Sequence, residues 1–79
     1  MEQSKFTAMM EMLVPQVVEQ IVERKNISAL DAIGLLYASA LYERLEEEET
    51  KLWHLSAQTL YDLLDEELTT GKITYPEEA

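Results

Sequence analysis

The amino-acid sequence predicts an all-α fold, a bundle of three to four helices with a short extended segment near the C-terminus. Three observations predict it. Apolar residues recur at helical spacing from Phe6 to Val22. Ser28, Ser39 and Ser56 each stand just ahead of a further apolar stripe, where N-caps belong. The last stripe, through Leu60 and Leu64, runs out before a glycine, Gly71.

The first helix is expected from about Ser4 to Lys25, with Phe6, Met9, Met10, Leu13, Val14, Val17, Val18, Ile21 and Val22 on a wide stripe. Glu11, Pro15 and Glu19 fall opposite. Pro15 removes one backbone hydrogen bond, so the helix either bends around the core there or divides into two near Val14. Asn26 suits a left-handed helix end. Ser28 caps the second helix, with Asp31 three residues on, and Leu30, Ile33, Leu36 and Tyr37 are its expected core side. Gly34 lies within it and suggests close packing, because glycine costs about 1 kcal/mol against alanine in a helix.

Ser39 caps a third helix bearing Leu41, Tyr42 and Leu45, although one helix from Ala29 to about Glu48 carries the same stripe. A break or bend near Ser39 is the favoured reading. Four carboxylates, Glu46 to Glu49, oppose the dipole at a helix C-terminus and should end it there. Lys51 to Leu55 reads as an extended connector holding Leu52, Trp53 and Leu55. The last helix starts at Ser56, presents Ala57, Leu60, Tyr61, Leu64 and Leu68, and stops at Gly71. Lys72 to Tyr75 is β-prone before Pro76, and could pair with the connector as a two-stranded ribbon.

Composition narrows the function classes. The 79 residues are 47% hydrophobic, enough for one folded domain over 1–79 and too many for a disordered chain. A chain of this size buries only about 60–65% of its unfolded surface. Without cysteine for disulfides, a second subunit or a partner is the expected support. Sixteen acids against six bases leave a formal charge of −10, which repels nucleic-acid phosphates and anionic membranes and favours a basic protein partner. No run of about 18 apolar residues exists, and no signal-peptide pattern is evident, so the cytoplasm is the expected compartment.

Chemistry finds little footing. His54 is the single histidine, and Ser56 beside it is expected to cap a helix, so no nucleophile–base pair forms locally. Glu46 to Glu49 fan around a helix axis and do not converge on a metal. One histidine cannot supply the paired Glu-x-x-His pattern of a di-iron bundle. No enzyme, cofactor or metal is therefore expected. The aromatic residues lie among acids, which disfavours nucleic acid. Trp53 and Tyr61 read as core fillers that can double as interface anchors. The methionines Met9, Met10 and Met12 are adaptable in either role. The stripe is wider than a short domain readily covers, so a homodimer is expected. Its candidate interface is Phe6, Met9, Met10, Leu13, Val17 and Ile21, joined by Trp53 and Tyr61.

From Tyr42 onward, residues Tyr42-Glu43, Leu45, Glu48 to Leu55, Ser56, Leu60-Tyr61 and Thr70 to Ile73 with Pro76 resemble a family of short bacterial proteins of unassigned function. The resemblance covers about the second half of the chain. Such proteins lie beside toxin-like reading frames in Gram-positive bacteria, which implies an antitoxin or accessory role. Ser39 and Glu43 also have the Ser/Thr-x-x-x-Glu spacing of inhibitors of Fic-type enzymes, but Arg44 stands where those carry glycine or asparagine. The expected function is protein–protein contact, antitoxin-like or accessory. The alternative is a purely structural homodimer.

Overall fold

The computed structural model describes residues 5–73. It contains four α-helices: α1 (Lys5–Lys25), α2 (Ala29–Tyr37), α3 (Ala40–Leu45) and α4 (Ala57–Thr70). Two 3-10 turns, Glu48–Thr50 and Leu52–His54, join α3 to α4, and no strand occurs among the described residues. The chain is all-α, as its periodicity predicts.

The capping residues set the boundaries. Ser28, Ser39 and Ser56 are each extended, and each side-chain oxygen accepts from the backbone N–H three residues on. Ser39 thus separates α2 from α3, and the continuous helix does not form. Asn26 and Gly71 take the left-handed conformation at the ends of α1 and α4, at φ 56° and 80°. α3 stops at Leu45, ahead of the glutamate run.

Helix α1 runs unbroken through Pro15. The carbonyl a residue at 15 would have bonded is that of Glu11, and both residues are on the exposed side, where water reaches that carbonyl. The interruption, about 3 kcal/mol for an interior proline, is offset by continuous burial of Leu13, Val17 and Ile21 on the other side.

The core joins that stripe to Ala32 and Leu36 of α2, Leu41 and Leu45 of α3, Leu52 and Trp53 of the second 3-10 turn, and Leu60 and Leu64 of α4. Helix α1 packs on α4, on α2 and on that turn. At its C-terminus, Arg24 donates to Gln58 at 2.8 Å and Lys25 pairs with Asp65 at 2.9 Å, tying α1 to α4.

Three expectations are corrected. Lys51 to Leu55 is not extended. Adjacent residues on a strand point to opposite faces, whereas Leu52 and Trp53 are both buried in one core, which a tight helical turn permits. Lys51 supplies the left-handed link between the turns, at φ 60°. The ribbon therefore has no first strand; of its second, Lys72 and Ile73 are without regular structure, and Thr74 and Tyr75 lie outside the described residues. In α2 the buried side is Ala32 and Leu36, not the side led by Leu30, Ile33 and Tyr37. Gly34 packs against no other element among the described residues: a Cβ added there meets none of their atoms within 4 Å beyond its own helix backbone.

Candidate functional site

The eight side chains expected to form a dimer interface are placed in the chain's own interior or at its rim. Leu13, Val17, Ile21, Trp53 and Tyr61 are buried, and Phe6, Met9 and Met10 are half-buried against the same core. The Phe6 ring meets the Trp53 ring edge-on at 5.6 Å, and the Trp53 indole N–H donates to the Glu48 carbonyl at 2.9 Å. The Arg24 guanidinium lies 5.2 Å above the Tyr61 ring. The wide stripe of α1 is covered because three separate elements pack on it.

The exposed apolar surface lies instead on α2. Leu30 is 79% exposed, Tyr37 54% and Ile33 37%. Spaced i, i+3 and i+7, they share one helix face, and Gly34 lies among them as a flat notch. Asp31 is the one charged residue of α2. A helix apolar everywhere but at Asp31 gives little signal for its inner side, and the two helices packed on it leave part of it uncovered. Met12 and Leu68 are also exposed, on α1 and α4.

At its C-terminal end this face meets α3. Tyr37 stacks on Tyr42 with centroids 4.6 Å apart and planes at 20°. The pair is a common wall between two shallow depressions. On one side is a groove of about 330 Å³ lined by Met10, Glu11, Val14 and Pro15 of α1. On the other is a notch of about 460 Å³ bordered by Glu43, Glu46 and Glu67. Burial pushes the Tyr42 hydroxyl above the usual tyrosine range, reinforced by Tyr37 and Glu46 beside it, so it stays neutral.

Glu67 has a structural task. Its two carboxylate oxygens accept from the first N–H groups of α3, Ala40 at 2.8 Å and Leu41 at 3.1 Å. Ser39 completes the cap by accepting from Tyr42 N–H at 3.1 Å while its hydroxyl donates to the Leu36 carbonyl. Ser39 is therefore buried in helix-capping work, whereas Glu43, four residues on, is exposed. His54 is exposed and rests against Trp53, with ring centroids 4.0 Å apart. Ser56 caps α4 and shares a 3.0 Å hydroxyl contact with Thr59. Among the described residues, no three acidic or histidine side chains group as a metal site would require. No described helix is long and apolar enough to cross a membrane.

The sequence alone did not distinguish Tyr37 and Tyr42 as a pair. Their contact depends on the turn at Ala38–Ser39, which folds α3 back beside the end of α2. No family model matches the chain, and no similar protein was found among curated sequences or solved structures.

Proposed function

We propose that the chain acts by binding another protein, and that the outer face of α2 is its contact surface. The observation that carries this reading is the exposure of Leu30, Ile33 and Tyr37 on one face, with Gly34 open among them. Exposed apolar patches are enriched at sites of association, and an aromatic at the edge of such a patch is a frequent anchor. The charge of −10 favours a basic partner. Under the second-half resemblance, that partner is a basic toxin and the chain its neutraliser. No catalytic step enters the reading. A cysteine-free chain suits a reducing compartment, and the cytoplasm is the one assumed.

A structural homodimer is the second reading. The specific observation in its favour is Gly34, which lets a second helix approach closely. A charge of −10 on each copy opposes it.

Co-expression with the products of the adjacent reading frames tests the first reading. The native chain should co-purify with one of them, and Ile33→Glu should lose it while melting normally. Absence of any complex, or a complex indifferent to Ile33→Glu, would overturn the assignment. Sedimentation of the chain alone decides the second reading: a monomer at micromolar concentration removes it.

A further inference from the structure

We infer that the partner presents a basic amphipathic helix, its apolar side along α2 and the α1 groove, and an arginine or lysine in the notch beyond the Tyr37–Tyr42 stack. The inference rests on the reading that α2 is a contact face, and adds what that face selects.

The two depressions differ in chemistry yet share a wall. Met10, Val14 and Pro15 offer apolar lining on one side of the tyrosine pair. On the other side Glu43 and Glu46 are exposed, while Glu67 is committed to the α3 N-terminus. Neither depression is lined by a basic residue. An arriving cation therefore meets two carboxylates and the rim of a stacked aromatic pair, in a notch to which the lining itself brings no positive charge. The neutral Tyr42 hydroxyl adds a hydrogen-bonding group to the same wall.

The remaining occupants fit less well. A phosphate-bearing ligand would meet only repulsion at the notch. A second copy would have to bring its own free base and apolar stripe together. Arg24 and Lys25, the basic end of α1, are engaged with Gln58 and Asp65 of α4, Lys5, Lys51 and Lys72 stand at or outside helix ends, and Leu13, Val17 and Ile21 of the α1 stripe are buried. The α2 face has the i, i+3, i+7 ridge that a helix packs against, and Met10 can adjust to its side chains.

The test titrates the full, isotope-labelled chain with a synthetic helical peptide carrying leucines at i, i+3, i+4 and i+7 and arginines on its other side. One control peptide has glutamate for arginine, and another has serine for leucine. Amide shifts should centre on Met10, Val14, Tyr37, Tyr42 and Glu43, and both controls should lose binding. Tyr37→Ala and Glu43→Gln should each weaken the arginine peptide by about tenfold, the glutamine variant with unchanged melting and the alanine variant still folded. Retained binding by the serine peptide, with shifts spread over Glu46 to Glu49, would reduce the effect to bulk charge attraction and overturn the inference. So would a dimer of the chain alone that Ile33→Glu abolishes, because the occupant is then a second copy. A co-expressed complex sensitive to Ile33→Glu, alongside a peptide that does not bind, overturns this inference and leaves α2 as the contact face. A bound peptide with no co-expressed complex supports the site and counts against the proposed cellular partner alone.

Discussion

Glu67→Ala should unfold the start of α3 and lower the stability of the whole chain. Helix α3 has six residues, too few to persist without help. Its help is a carboxylate from α4 that takes two N–H groups, Ala40 at 2.8 Å and Leu41 at 3.1 Å. A hydrogen bond to a charged acceptor contributes about 1.5–3 kcal/mol when water is excluded. The Ala40 bond is exposed, and water can replace it, so it is discounted to about 0.5 kcal/mol; the half-buried Leu41 bond keeps about 1–1.5. Loss of a negative charge at a helix N-terminus adds roughly 0.5 kcal/mol. Alanine returns roughly 0.4 kcal/mol through its better helix propensity in α4. The net loss is about 2 kcal/mol, or roughly 10 °C in Tm for a domain of this size. Glu67→Gln keeps one acceptor oxygen and should lose about half as much. Urea unfolding, followed by helical circular dichroism and by Trp53 fluorescence, measures both. A Glu67→Ala variant within about 0.5 kcal/mol of the native chain, or a glutamine variant no better than alanine, would refute the capping argument.

The other predictions concern single sites. Gly34→Ala should stabilise the chain by up to about 1 kcal/mol, since its Cβ enters open space; destabilisation in a urea melt would mean that something already packs there. Leu36→Ala should cost about 2–5 kcal/mol, because Leu36 is fully buried where α2 meets the core; a loss below about 1 kcal/mol would contradict that burial. Gly71→Ala should cost about 1 kcal/mol from the φ of 80° that closes α4, seen as a lower Tm. The Lys25–Asp65 pair raises the Lys25 pKa above 10.5, chiefly by their hydrogen bond, against partial desolvation. A raised folded-state pKa makes the pair's contribution fully present below 10.5 and lost as pH rises through the folded value. Both groups keep solvent access, so the pair contributes below about 1 kcal/mol. The Tm gap between the native chain and Lys25→Met should be small and constant at neutral pH, and should shrink in strong alkali.

The helix boundaries were largely legible because their signals are local. A serine oxygen three residues before an N–H, an asparagine or glycine in the left-handed region, and a run of carboxylates at a helix end act over one turn. The α1 stripe was legible for the same reason, and Pro15 on its wet side did not interrupt it. The turn containing Leu52 and Trp53 was not. Its residues favour strands when considered alone, and only the demand that both enter one core makes the backbone coil.

The candidate surface was legible only in part. Acidity and the paucity of reactive side chains make contact with a basic protein the expectation from composition alone. In the sequence the apolar excess falls on α1, because a long stripe with no visible cover reads as unpartnered. Tertiary packing decides otherwise: α4, α2 and the 3-10 turn bury Leu13, Val17 and Ile21 of that stripe, and α2, apolar but for Asp31, has more surface than its neighbours cover. The sequence by itself determined an all-helical, acidic chain and where most of its helices start and stop, since these follow from neighbours within a turn. Which faces are buried, the pairing of Tyr37 with Tyr42 and the reach of Glu67 to α3 were decided only by tertiary structure, because each joins groups on different helices.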